Sequence, residues 1–198
     1  MKRTLTLLTL LVLSGCSESI EDTSLEEQSS QSDKIIESIT LENNFPRENW
    51  EKAQQYFRSG NRELSLTHLR LSAEGGYPNA QYTLGLFSLE KSHPMFNPEE
   101  GLSLINKSYN QGFINAATTL GLLYQRGQFV DKDLTKSKKY LNEAAEMNDP
   151  AALWFVGINF FDGSSGYVMD RKEGTRLLKS SVKLGYKKEE LALAVLTF

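Results

Sequence analysis

Three glycines recur at a fixed interval, and this periodicity constrains the fold more than any other feature of the sequence. Gly85, Gly121 and Gly157 lie 36 residues apart, each directly after Leu or Val and five residues after an alanine. A fixed period of this size is the signature of a solenoid, in which stacked units bury a continuous core. The alanines are Ala80, Ala116 and Ala152, and a weaker fourth unit contains Gly185, Glu189, Leu193 and Ala194.

Two further columns of the repeat mark where helices begin and end. Asn and Asp cap helix N-termini, and Gly or Asn adopt the left-handed conformation after a helix. The capping column is Asn61, Asn97, Asp133 and Asp170, and the stop column is Gly76, Gly112, Asn148 and Gly185. Two antiparallel helices per unit are therefore predicted. Their ranges are 62–74, 78–91, 98–110, 114–126, 134–146, 150–161, 171–184 and 187–197, with a further capping helix over 47–58.

The glycine within each second helix weakens that helix by about 1 kcal/mol relative to alanine. Such a cost implies a compensating contact. We therefore expect Gly85, Gly121 and Gly157 to lie where the second helix of each unit crosses its partner too closely for a side chain.

The first fifteen residues resemble an export signal. Lys2 and Arg3 precede an apolar stretch over 4–13, which is shorter than the roughly 20 residues of a membrane-spanning helix. The sequence Leu-Ser-Gly-Cys that ends at Cys16 resembles the bacterial lipobox, which implies cleavage before Cys16, acylation of this cysteine and a palmitate-bearing membrane anchor. An ordinary signal peptide with an incidental cysteine and an uncleaved anchor remain alternatives. For a Gram-negative cell, Ser17 after the cysteine implies the outer membrane, facing the periplasm.

The segment 16–44 differs in composition from the rest of the chain. Residues 17–44 contain eight acidic residues, one basic residue and no aromatic residue, which predicts a disordered acidic tether. Residues 45–198 contain 17 acidic and 19 basic residues, so this part is nearly neutral and forms the predicted solenoid domain. Without a basic stripe, the sequence predicts no nucleic-acid partner.

The repeat resembles the Sel-1-like repeat family, which is related to the tetratricopeptide repeats. The match is best at Ala116, Leu120, Gly121, Tyr124 and Gly127, and the resemblance covers residues 61–198. It implies an all-α, right-handed solenoid of helix pairs, and residues 50–76 resemble a tetratricopeptide unit whose helix over 47–58 caps the N-terminal end. The sequence departs from the family pattern at Ser88, in what we take to be a long connection over 90–100, and at Glu189 and Ala194.

No pattern in the sequence predicts catalysis. His68 and His93 have no partner at a ligand spacing, and Asp131–Asp133 lacks the glycine and glutamate of a calcium loop. The single cysteine excludes an intramolecular disulfide and a cysteine-based metal site. We therefore expect no enzyme activity, no metal and no cofactor, and an enzyme acting on peptidoglycan is the least favoured function.

The resemblance implies that the glycine-bearing helices line a concave binding face. Side chains three before, one after and four after each glycine are expected to point into it, with two aromatic residues of the capping helix. These residues are Trp50, Phe57, Tyr82, Leu86, Leu89, Thr118, Leu122, Gln125, Trp154, Ile158 and Phe161. An alternative is that several of them belong to the core.

These observations predict a lipid-anchored envelope adaptor that binds another protein or an extended peptide. The alternative is an immunity-type lipoprotein that neutralises a toxic secreted effector in the periplasm. The apolar C-terminal sequence, residues 190–198, also suggests self-association through the last helix.

Overall fold

The protein is described by a computed structural model over residues 45–186. Cys16, the predicted tether and the predicted helix 187–197 lie outside the described residues. Eight helices and no strand lie within residues 45–186. They are α1 (45–58), α2 (Arg62–Glu74), α3 (Pro78–Leu89), α4 (Pro98–Asn110), α5 (Ile114–Arg126), α6 (Leu134–Glu146), α7 (Pro150–Asp162) and α8 (Arg171–Lys183). The predicted all-α repeat fold is confirmed.

The predicted caps set the helix boundaries. Asn61 accepts from the Leu64 N–H, and Asp133 accepts from the N–H groups of Thr135 and Lys136. Asn97 and Asp170 cap α4 and α8 in the same way. All four members of the stop column have positive φ, at Gly76 (92°), Gly112 (82°), Asn148 (61°) and Gly185 (91°). Local chemistry therefore fixes both ends of the even-numbered helices.

Helix α3 ends two residues earlier than predicted, because no glycine follows it. Gly127 and Gly163 end α5 and α7 in the left-handed conformation, whereas Glu90 after α3 is extended. The connection that follows α3 covers 90–97 and is no longer than its equivalent over 163–170. The expectation of a long loop is therefore wrong, because the two connections have the same length and differ in composition.

The mid-helix glycines lie at close helix crossings, as predicted. A Cβ atom on Gly121 would lie 2.6 Å from Leu141 Cγ, and one on Gly85 would lie 2.8 Å from Ile105 Cγ1. A Cβ atom on Gly157 would lie 2.9 Å from Leu178 Cγ. These partners lie on the following even-numbered helix, so each crossing joins two successive predicted units. The expectation that each glycine contacts the first helix of its own predicted unit is therefore wrong.

Buried serines confirm that the compact unit is an odd helix with the even helix after it. Ser108 on α4 donates to the Pro78 carbonyl at the start of α3, at 2.8 Å, and Ser181 on α8 donates to the Pro150 carbonyl on α7, at 2.6 Å. Ser72 makes the same bond from α2 to Pro46. The structural repeat is thus the hairpin α1–α2, α3–α4, α5–α6 or α7–α8.

Candidate binding surface

The predicted binding residues lie on the odd-numbered helices, at three positions relative to the crossing. The −3 position precedes the glycine by three residues, and the +1 and +4 positions follow it. In α1, Ala53 stands at the glycine position, since Pro46 of α1 corresponds to Pro78 of α3. The three positions differ in exposure, because a helix in this stack buries two of its faces.

The −3 side chains join one hairpin to the next. The rings of Trp50 and Tyr77, just before α3, lie 6.0 Å apart between centroids, and those of Tyr82 and Phe113, just before α5, lie 5.1 Å apart. Trp154 repeats this contact with Tyr186, at 6.0 Å. These side chains therefore stabilise the stack through aromatic contact.

Two of the −3 residues are buried, so the expectation that they point into an open binding face is wrong. Trp154 is 8% exposed and packs on Leu178. Thr118 is 5% exposed and donates from its hydroxyl to Asp149 Oδ1, at 2.8 Å. Asp149 also caps α7 by accepting from the Ala152 N–H. A partner protein cannot reach these side chains without opening the stack.

The +1 side chains are the most regularly accessible set. Leu86 is 38% exposed, and Leu122 and Ile158 are partly exposed at the equivalent places on α5 and α7. We call these three residues the exposed ladder. In α1 the equivalent residue is Gln54, which is also partly exposed. The ladder is therefore apolar in the three hairpins from α3 to α8, where Leu122 and Ile158 also pack partly on the core.

The +4 side chains have no common environment. Phe57 is 67% exposed, whereas Leu89 is buried in the core, which corrects its predicted place on the open face. Gln125 is partly buried and donates to Asn159 Oδ1 at 3.2 Å and to the Ser165 hydroxyl. The Arg171 guanidinium lies 5.7 Å from the Phe161 ring. Binding by any of the eleven predicted residues stays a prediction.

Two further positions border the exposed ladder and were not predicted from the sequence. The residues two before the crossing are partly exposed, and the residues five after it are fully exposed. The same 36-residue spacing could have identified both sets. They are Thr83, Thr119 and Phe155 in the first set, and Glu90, Arg126 and Asp162 in the second. In α1 the residue five after the crossing is Arg58. The charges at this position therefore alternate in sign from α1 to α7, and their sum is zero.

The two histidines have structural partners. His68 Nδ1 lies 2.7 Å from Asn49 Oδ1, and its ring stacks on Tyr56. The His93 ring stacks on Phe87. Within residues 45–186, no group of three His, Cys, Asp or Glu side chains is placed to hold a metal ion. No helix in this range is both long enough and apolar enough to cross a bilayer.

Comparison with known proteins identifies the repeat. Residues 114–149 match the Sel1 repeat model, and this range contains α5 and α6. The match begins at an odd helix, in agreement with the hairpin unit, and confirms the resemblance to Sel-1-like repeats at this place. No curated protein sequence matches the chain significantly.

Two solved structures share the fold. A Sel1 repeat protein from Oxalobacter formigenes has a TM-score of 0.57 and 24% identity, over 67% of this chain and 98% of its own. The protective antigen c5321 from uropathogenic Escherichia coli, described as an SLR fold, has a TM-score of 0.62 and 21% identity, over 82% of this chain and 34% of its own. At these identities the similarity establishes the Sel-1-like solenoid fold alone.

Proposed function

We propose that this protein is a lipid-anchored adaptor that binds another protein or an extended peptide through the exposed ladder. The observation that carries the proposal is the repetition of Leu86, Leu122 and Ile158, which presents one apolar side chain per hairpin at the same place on three odd helices. Helical solenoids use such extended faces for binding. A few residues near the centre of an interface contribute most of the binding free energy, and this centre is more apolar than its border.

The surroundings of the ladder fit a polypeptide partner. Threonine hydroxyls at Thr83 and Thr119 lie next to the leucines and can hydrogen-bond to a peptide backbone, although Thr119 Oγ1 also lies 3.1 Å from the Tyr82 hydroxyl. The bordering charges alternate in sign, so they do not favour a polyanion such as nucleic acid. An interface with an apolar centre and a polar border is typical of protein complexes.

The test is capture of partners from an envelope extract of the source organism with mature protein and two leucine variants. Leu86→Asp places a charge on the exposed ladder, and we expect the affinity for the specific partner to fall about tenfold or more. Leu64→Asp is the matched control, because Leu64 is 40% exposed but lies on α2, outside the ladder. A partner retained equally by both variants, or lost equally from both, would contradict the proposal.

The membrane anchor is a separate part of the proposal. It rests on the lipobox-like sequence around Cys16, the only cysteine of the chain. Two or more acyl chains on that residue would give stable attachment. We expect Cys16→Ala to accumulate as the unprocessed precursor and to lose the acyl mass in mass spectrometry. A variant that is processed normally and still sediments with membranes would contradict the anchor but leave the adaptor function in place.

The immunity-type role is a narrower form of the same binding function. Nothing within residues 45–186 favours it over a general adaptor, so it stays a prediction from the sequence. Identification of the captured partner as a secreted toxin would establish it.

A further inference from the structure

A cleft of about 610 Å³ lies between α2 and α4, and none of the exposed-ladder residues lines it. Its apolar walls include Ala73 of α2, Leu84 of α3, Met95 of the α3–α4 connection and Leu104 of α4. Clefts that bind small ligands have volumes of about 300–1,000 Å³. The internal repeat allows a direct comparison, because the same place occurs once in each of the two following hairpins.

Two tyrosine rings, one on α4 and one on α6, occupy the equivalent place one hairpin later. Tyr109 lies 36 residues after Ala73, and Tyr140 lies 36 residues after Leu104. Their rings pack edge to face with 5.1 Å between centroids. The Tyr109 hydroxyl donates to Glu143 Oε2 at 2.9 Å. The space that is open beside α4 is therefore filled by aromatic side chains one hairpin later.

A tyrosine from a different element fills the same place in the α7–α8 hairpin. In this hairpin Ala145 stands at the position of Ala73, and Leu177 stands at the position of Leu104, so the residue types are the same. Tyr167 of the α7–α8 connection packs in one apolar cluster with both residues and is 5% exposed. Its hydroxyl donates to Asn142 Oδ1 at 2.7 Å.

The α3–α4 connection has no aromatic residue at the position of Tyr167. Tyr167 precedes the helix cap Asp170 by three residues, and the residue three before the cap Asn97 is Pro94, which lines the cleft. In the first cleft the connection side chain that packs on the apolar cluster of Ala73 and Leu84 is Met95. The helix tyrosines of one hairpin and the loop tyrosine of the other have no counterpart there. In both other hairpins an aromatic ring covers these walls.

We propose that the cleft between α2 and α4 is a receptor for an aromatic side chain, tyrosine or phenylalanine, presented by a segment of a partner protein. The ring would take the place that Tyr140 or Tyr167 takes in the other hairpins and would bury the same kind of apolar wall. None of the exposed-ladder residues lines this cleft, so the proposal does not rest on the proposed adaptor function.

The charges at the cleft favour a neutral ring over a charged ligand. Two basic and two acidic side chains line it and are exposed: Arg70, Lys107, Glu74 and Glu100. Among the described residues no ion pair within 4 Å involves any of them. Because their formal charges cancel, the cleft does not select a ligand of either charge. Outside residues 45–186 the chain contains one aromatic side chain, Phe198.

The test uses p-cresol, the side-chain analogue of tyrosine, with isobutanol as the aliphatic control. We follow the methyl resonance of Met95 in carbon–proton NMR spectra of the full mature chain. The expected result is a saturable shift with p-cresol in the millimolar range and no saturable shift with isobutanol. Leu86→Asp, on the exposed ladder, should leave the p-cresol shift unchanged.

Two filled variants copy the other hairpins of the same chain. Ala73→Tyr with Leu104→Tyr reproduces the α5–α6 hairpin, and Pro94→Tyr reproduces the α7–α8 hairpin. Thermal unfolding identifies which variants fold, and any folded variant should lose the p-cresol shift. An absent or non-saturable shift in the wild type, an equal response to isobutanol, or a shift retained in a folded filled variant would overturn the proposal. A shift seen only after Phe198→Ala would also overturn it, since the chain would then fill its own cleft.

Discussion

At the scale of single residues, close packing decides which side chains the repeat tolerates. Gly121 and Leu141 show this most clearly, because a Cβ atom on Gly121 would lie 2.6 Å from Leu141 Cγ and 3.2 Å from the Leu141 backbone nitrogen. The side chain could move aside, but the backbone of α6 cannot do so without separating the hairpin. The crossing therefore requires glycine, although glycine disfavours the helix.

We expect Gly121→Ala to destabilise the protein by up to about 2 kcal/mol, since an overpacking cost of about 1 to 3 kcal/mol is partly offset by a helix-propensity gain of about 1 kcal/mol. Urea denaturation followed by circular dichroism measures this change. Asn115→Ala is the control, because Asn115 is exposed on the same helix and should change stability by less than about 0.5 kcal/mol. If Gly121→Ala is as stable as the wild type or more stable, the close crossing is not present in solution.

Trp154 provides the second residue-scale prediction. Because its ring is buried against Leu178 and Tyr186, we expect Trp154→Ala to lower the free energy of unfolding by about 3 to 5 kcal/mol. Ile158→Ala, on the exposed ladder, should cost less. A Trp154→Ala variant with unchanged stability but lost partner capture would instead place this tryptophan on the binding face.

At the scale of helices, side-chain caps fix the boundaries that define each hairpin. The Asp133 carboxylate accepts from the backbone N–H groups of Thr135 and Lys136, at 3.0 and 2.9 Å. We expect Asp133→Ala to destabilise the protein by about 1 kcal/mol. Asp131→Ala is the matched control, since Asp131 is exposed and has no hydrogen bond or ion pair among those of the described residues. Equal effects of the two substitutions would contradict the capping role.

The helix boundaries were largely predictable because their determinants are local. Asn, Asp and Gly at fixed columns predicted α2, α4, α5 and α6 with their observed bounds. The pairing of helices was not predictable in the same way. An even helix is close in sequence to the odd helices on both sides, and the spacing of Gly121 does not say whether its partner is Ile105 on α4 or Leu141 on α6.

The binding surface was predictable only in part, since exposure depends on the neighbouring hairpin. The −3 and +1 positions are both largely apolar in sequence, but Trp154 packs against Tyr186 whereas Leu86 is 38% exposed. The unusual Ser88 was visible as a departure from the family pattern. The consequence of this departure could be recognised only from the structure. Ser88 occupies the repeat position of Tyr124, whose ring stacks on Tyr140 at 5.8 Å, next to the filled equivalent of the cleft.

At the scale of the whole molecule, the hairpins form one stack in which each unit has equivalent contacts. Glycine crossings hold together the three hairpins from α3 to α8, and serine bonds occur in the α1–α2, α3–α4 and α7–α8 hairpins. The −3 side chains join each hairpin to the next. The ladder and the cleft are both consequences of the repetition. The exposed ladder repeats the same apolar position, whereas the cleft arises where one repeat lacks the aromatic rings of the others.

The most direct test of this account is deletion of residues 114–149, which contain α5 and α6. Phe113 would then precede Pro150, as Asp149 does in the intact chain, and three described hairpins would remain in register. We predict a folded, helical protein with a single cooperative thermal transition by circular dichroism, whereas deletion of residues 114–131 removes α5 alone and should abolish cooperative unfolding. If the 114–149 deletion unfolds without cooperativity, or the shorter deletion folds as well, the chain is not a stack of 36-residue hairpins.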